Sequence, residues 1–247
     1  VAAGACFVGC AGWSLPRAAQ DRFGPGDSHL QRYATRLPAS EINSSFHRPH
    51  GPAVYQRWAT SVPQGFRICA KLPRTITHEA RLVGSAPLLA DFLAQARNLG
   101  DRLACLLAQL PPSLVFDASV ADSFFDDLRA RWDGLVAAEP RHESWFTQEA
   151  DALLARHRVA RVLADPVRQA AGAWPGGWPD LVYLRLHGTP RMYYSSYDAD
   201  LIQALARRIA LAVREGRTVW CIFDNTAAGA ATDNALDLQQ ALAKEIG

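Results

Sequence analysis

Short apolar runs recur along the chain, and most of them end on an ionisable residue. They occupy residues 6–10, 39–42, 66–70, 103–108, 135–138, 159–164, 181–186 and 218–223. They are mostly continuous rather than alternating, the pattern of strands covered on both faces of a parallel sheet. Between them the apolar period changes to that of helices. Ser28 is placed to cap a helix with Leu30, Tyr33, Ala34 and Leu37 in phase. Pro52 fits the first turn of a helix carrying Val54, Tyr55 and Trp58. Ser85 opens a helix with Leu89, Phe92, Ala96 and Leu99 on one face, and Gly100 stops it. Val120, Phe124 and Leu128 mark the next helix, and Thr147 caps a short one through Leu154. Leu201, Leu205, Ile209 and Val213 recur at i+4 steps, and Ala235, Leu238 and Leu242 mark the last helix. Residues 14–27 read as a loop. Residues 166–179, rich in Gly, Pro and Trp, leave room for only a short helix or none.

Eight strands alternating with helices, with no linker and no low-complexity segment, predict one domain over residues 1–247. The fold class is α/β, a single (β/α)₈ TIM-type barrel with an irregular sixth βα connection. A doubly wound open sheet is the alternative, but it normally has fewer strands. Either fold binds ligands at the carboxyl ends of its strands. Glu41, Lys71, Glu139, Asp165, His187 and Asp224 all fall there. The densest knot is Glu139-Pro140-Arg141-His142, which puts an acid, a guanidinium and an imidazole within four residues.

At 247 residues and 49% hydrophobic, the chain can bury a large core. A net charge of +2 implies no global attraction to nucleic acid or to a membrane surface. No apolar run approaches the ~18 residues of a membrane span. Residues 1–13 lack the basic start and long apolar centre of a signal peptide, so a cytoplasmic location is expected. Five cysteines, an odd number without C-x-x-C, suggest free thiols in a reducing compartment, with Cys10 a weak site candidate. Lys71 and Lys244 are the only lysines in a chain that otherwise uses arginine.

The candidate catalytic residues are Glu41, Glu139, His142, Asp165 and His187. Carboxylates among cations can be driven apart in pKa, one serving as base while another keeps its proton. A lattice of salt bridges closing the mouth would use the same residue types. Lys71, Arg141 and Arg185 stand at the same level and would hold an anion. Arg185 and His187 alternate with Leu184 and Leu186, which places them on one side of their strand. Arg74 and His78 follow Lys71 in a loop able to grip phosphate or carboxylate, or simply to stay solvated. Asn43, Arg48, Asp224 and Asn225 complete the polar candidates. Trp13, Phe46, Trp145, Tyr193, Tyr194 and Tyr197 would form a stacking wall or pack the loops. A metal is not expected, because no ligand spacing supports one and neighbouring arginines and lysine would repel it. No cofactor motif is present: there is no G-x-G-x-x-G, Walker loop or G-x-S-x-G.

Several segments together resemble the YecE-like family, a domain of unknown function. They are Gly9-x-x-Gly12-Trp13, residues 41–49 (EINSSFHRP), Lys71-x-Pro73-Arg74-x-Ile76-Thr77-His78 and Gln109-x-Pro111-Pro112. Glu139-x-Arg141-His142-x-Ser144-Trp145, Tyr183-x-Arg185-x-His187-Gly188 and Phe223-Asp224-Asn225-Thr226 continue the pattern. The resemblance spans nearly the whole chain and implies a (β/α)₈ barrel, with no established reaction. The family more often has Tyr at His47 and Asn at Asp224, and the segment after Trp13 also departs. Similarity to endonuclease-type barrels adds nucleic acid as a fold-level candidate.

Two functions follow as expectations. The first is an enzyme that binds, and hydrolyses or isomerises, an anionic small substrate such as a phosphate ester or sugar acid. It needs no bound cofactor, has Glu139 or Glu41 as base and His187 or His142 as proton partner, and has no membrane partner; the oligomeric state is left open, a monomer being assumed. The second is nucleic-acid binding or phosphodiester cleavage. A barrel serving only to bind a partner is a third reading.

Overall fold

The structure, a computed structural model, describes residues 4–246. Residues 1–3, the start of the segment read for a leader, and residue 247 lie outside the described residues. Among the described residues, ten strand segments form one sheet that curves into a barrel. They are β1 (Cys6–Ala11), β2 (Ala39–Ile42), β3 (Arg67–Lys71), β4 (Leu103–Gln109), β5 (Leu135–Glu139), β6 (Val159–Arg161), β7 (Leu163–Asp165), β8 (Gly176–Gly177), β9 (Leu181–Leu186) and β10 (Thr218–Phe223). Their order is β7-β9-β10-β1-β2-β3-β4-β5-β6-β8, with every pairing parallel except that of β8 with β6.

The sixth apolar run is two segments rather than one strand. β6 pairs with β5, β7 pairs with β9, and Val162 stands between them. The Val162 N–H donates to Ala138 O at 2.8 Å, so one residue carries the ladder across the change of partner. The strand closes the ring by leaving one neighbour and joining the other. The connection after it is irregular as expected: a short 3₁₀ turn at Ala170–Ala173, then the two-glycine segment β8.

The helices are α1 (His29–Tyr33), α2 (Ser44–His47), α3 (Pro52–Thr60), α4 (Ala86–Ala96), α5 (Ala118–Arg129), α6 (Gln148–Arg156), α7 (Ala199–Arg214) and α8 (Ala230–Ile246). The Ser28 and Thr147 side chains accept from the Gln31 and Ala150 N–H groups, as their cap positions require. Ser85 precedes α4, but its hydroxyl donates to Leu82 O instead of capping. α1 ends earlier than the apolar phase through Leu37 suggests. The Tyr33 hydroxyl is drawn between β1 and β2, accepting from Cys10 N and donating to Ala39 O, both at 2.8 Å. The expected loop at residues 14–27 contains a 3₁₀ turn, Arg17–Arg22, that buries Ala19.

The core has two parts. The larger lies between sheet and helices, and a smaller one fills the barrel with Cys69, Cys105, Leu107, Ala137, Val162, Tyr183, Trp220 and Ile222. Because successive side chains alternate across a strand, Leu181, Tyr183, Arg185 and His187 share the inner face. They rise from the apolar interior to the mouth. All five cysteines are free. Burial pushes the Cys6 and Cys10 thiols up to about 12, so Cys10 is not a ready nucleophile. Among the described residues no helix is long and apolar enough to cross a membrane.

Candidate functional site

Arg185 is fully buried where β9 reaches the mouth. Its Nε donates to Glu41 Oε2 at 3.1 Å, and Nη2 donates to Glu41 Oε1 at 2.6 Å. Nη1 donates to Glu139 Oε2 at 2.6 Å, and Nη2 also reaches Asp224 Oδ2 at 3.1 Å. One planar guanidinium therefore holds carboxylates from the ends of β2, β5 and β10. Burial opposes its charge, but Glu41, Glu139 and Asp224 outweigh it and raise its pKa further. Tyr183, one inward position below, donates to Glu41 Oε2 at 2.9 Å.

His187 bridges two of the same carboxylates. Its Nδ1 lies 2.9 Å from Asp224 Oδ2, and its Nε2 lies 3.0 Å from Glu139 Oε1. Burial disfavours the charged ring, but hydrogen bonds to Asp224 and Glu139 prevail and raise its pKa. Arg141 Nη2 completes the group at 2.6 Å from Glu139 Oε1, while its buried Nε has no partner among the described residues. Gln109, in register with Glu139 on the neighbouring strand, donates to Glu139 Oε2 at 3.1 Å. Burial alone would raise the Glu139 pKa; Arg185, His187 and Arg141 together hold it well below the usual range. Asp224 is lowered in the same way by Arg185 and His187 against its burial.

Lys71 ends β3 at the same level and is 7% exposed. Among the described residues it pairs with no carboxylate. Its Nζ lies 4.3 Å from the centroid of the Phe46 ring. Burial first, and the Arg185 charge second, lower its pKa against the pull of the three carboxylates. His78 packs edge-on to the same ring, 4.9 Å between centroids, with Nδ1 2.8 Å from Thr77 Oγ1. Burial, then Lys71 and Arg74, lower its pKa. Asn43 Nδ2 reaches Asp224 Oδ1 at 3.4 Å, and its buried Oδ1 has no partner among the described residues.

The structure thus brings Glu41, Asn43, Lys71, Glu139, Arg141, Arg185, His187 and Asp224 to one place, with His78 beside them. Other candidates stand apart for identifiable reasons. Asp165 Oδ2 accepts from Thr189 Oγ1 and the Tyr197 hydroxyl, both at 2.6 Å, and so ties β7 to the loop after β9. His142 accepts from the Ser144 N–H through Nδ1 and caps a 3₁₀ turn at Glu143–Trp145. Trp145 is 1% exposed with its indole N–H on Leu114 O, so it packs the core away from the charged group. Asn225 is buried, and its amide donates to Ser195 O and Asn234 Oδ1. Trp13 packs edge-on against Trp58. Arg74 pairs with Glu79, Arg48 is exposed, and Tyr194 lies on the rim under the Arg191 guanidinium. Tyr183 and Gln109 join the network although charge patterning does not single them out. Their signals were the two-residue step below Arg185 and the strand-end place beside Glu139.

Fold and site together define an α/β-barrel protein with a lattice of charged side chains at the carboxyl ends of its strands. A family model described as "Protein of unknown function DUF72" matches residues 7–246, and the chain belongs to that family. It is 28% identical over 172 residues to the UPF0759 protein YecE of Escherichia coli K12, covering 66% of this chain and 61% of that protein. The YecE of Escherichia coli O157:H7 is 27% identical over 143 residues, 58% of this chain and 50% of that one. The matched part therefore spans between half and two thirds of these relatives. A DUF72 family protein of Thermotoga maritima MSB8 superposes with a TM-score of 0.78 at 22% identity, covering 97% of this chain and 99% of that one. A DUF72 family protein of Enterococcus faecalis V583 gives 0.78 at 20% identity, covering 97% and 98%. Both likenesses bear on the fold.

Proposed function

We propose that the barrel mouth binds a small anion bearing a phosphate or carboxylate group, with Lys71 as its principal cationic contact. One observation carries this reading. With His187 charged, Arg185, Arg141 and His187 match Glu41, Glu139 and Asp224 one for one, which leaves Lys71 as the surplus cation. The unpartnered Arg141 Nε supplies a second donor at the rim of the lattice. In this reading Glu41 and Glu139 act as counter-ions instead of general bases, and Arg185 orders the site without touching ligand. Acid–base work on a phosphate ester or sugar acid, in hydrolysis or isomerisation, then falls to the groups left open, Lys71 and His78.

The test is thermal melting of wild type and Lys71→Met with and without phosphate, sulfate and small carboxylates. The wild type is expected to melt higher in at least one of these anions. Lys71→Met should fold, since no carboxylate loses its partner, and should bind the anion about 1.5–3 kcal/mol more weakly. A wild type indifferent to every anion would overturn the proposal. Short oligonucleotides at low salt make the comparison with the nucleic-acid reading. Binding that outcompetes phosphate and falls steeply with salt would favour that reading instead.

A further inference from the structure

We infer that Lys71 is a nucleophilic amine that forms an imine with a carbonyl group carried by the anionic ligand, so that the ligand class is an oxo acid or a phosphorylated aldehyde or ketone. The inference rests on the anion-binding reading above and narrows it.

The choice of residue is the first argument. Of 26 basic side chains, Lys71 and Lys244 alone are amines. A guanidinium would grip a phosphate or carboxylate with two parallel hydrogen bonds, and this chain uses guanidinium almost everywhere else. An amine at the mouth gains what arginine lacks, a nitrogen able to form a covalent bond.

The surroundings are the second. A lysine bound to a carboxylate has its lone pair blocked by a proton held in place. At this mouth the three nearby carboxylates are engaged by Arg185, Arg141 and His187, and the Lys71 amine faces the ring of Phe46. A ring face holds an ammonium more weakly than a carboxylate does. Lys71 stands on the end of a barrel strand and is 7% exposed, so the residue is largely sheltered without being sealed from solvent.

Groups for the remaining steps are present. His78 shares the Phe46 ring, and its contact with Thr77 engages Nδ1, leaving Nε2 to exchange protons. Asn43 Oδ1 is a buried acceptor without a partner, suited to the hydroxyl of the addition intermediate. The Nε of Arg141 is a buried donor without a partner, suited to the anionic group. In the reaction the ammonium passes a proton to His78, and the nitrogen lone pair bonds to the carbonyl carbon. The oxygen takes protons and leaves as water while the C=N bond forms. Ammonium and carbonyl become iminium and water, so the site keeps its charge.

The test uses the whole protein, with glyoxylate, pyruvate and glyceraldehyde 3-phosphate as separate probes and sodium borohydride to reduce any imine to a stable secondary amine. Peptide mapping is unambiguous, since Lys244 is the sole other lysine and lies exposed on α8. Labelling of Lys71 by at least one probe, about tenfold or more above Lys244, is the expected result. Lys71→Arg should lose that label and keep the melting shift in phosphate. Labelling of Lys71 at or below that of Lys244 with all three probes would overturn the inference. If phosphate still raises the melting temperature in that case, the imine alone fails; if it does not, the anion site fails with it.

Discussion

Arg185 has exchanged water for three carboxylates, and the consequences of altering it follow from that. Sequence position alone allows it to hold a ligand; in the folded protein four of its hydrogen bonds go to Glu41, Glu139 and Asp224. Arg185→Ala would strand acids in a buried site, and urea unfolding should show a loss of about 3–5 kcal/mol. A stable variant that had merely lost anion binding would return Arg185 to the ligand. His187 makes a second prediction, through pH. Its pKa is raised on folding, so its contribution is complete below the ordinary histidine value and is lost as pH rises through the folded one. Glu139 and Asp224 are lowered, so their contribution holds above the ordinary carboxylate range and is lost as pH falls through their folded values. Melting temperature should therefore decline on both sides of a plateau. In His187→Gln the alkaline decline should be weaker, and an unchanged alkaline limb would contradict the assignment.

Strand ends were the most legible elements, because a continuous apolar run that stops at an ionisable residue has few interpretations in a parallel sheet. β2, β9 and β10 have the bounds their apolar runs indicate. The division of the sixth strand was not legible. Residues 159–164 read as one run, and a change of partner at Val162 leaves no mark on composition. The site behaved in the same way. The sequence placed Glu41 and Arg185 at one level, but a pairing between residues 144 apart depends on barrel closure, which local pattern does not contain. His142 and Trp145 sat in the densest charged knot, yet the chain turns there into a 3₁₀ segment that buries the indole. At this scale Asp165 has a clear task. It accepts from Tyr197 and Thr189, and Tyr197 in turn accepts from the Gly188 N–H at 2.7 Å. Tyr197→Phe removes both of the hydroxyl's bonds and should cost about 1–3 kcal/mol. Limited proteolysis should then cut first within residues 188–197. Cleavage elsewhere at unchanged rates would show that the loop does not depend on this anchor.

Across the whole molecule, the strands carry the thiols and the mouth carries the charge. Thiol titration of the denatured, unreduced protein should find five groups, and the native protein should react far more slowly because burial keeps the thiols protonated. A titre of three would reveal a disulfide and refute the assignment. The barrel interior is also joined to its mouth in a way that can be seen with light. Tyr183 stacks on Trp220 inside the barrel, 6.0 Å between centroids and 6° between planes, while its hydroxyl touches Glu41 at the mouth. Two stacked aromatic rings in an asymmetric, rigid setting give a near-ultraviolet circular dichroism signal. The Tyr183 phenol feels every rearrangement of the Glu41 carboxylate above it. The difference spectrum between wild type and Trp220→Phe would isolate that signal from the other tryptophans, giving an intrinsic optical readout of changes around Glu41 without any added label.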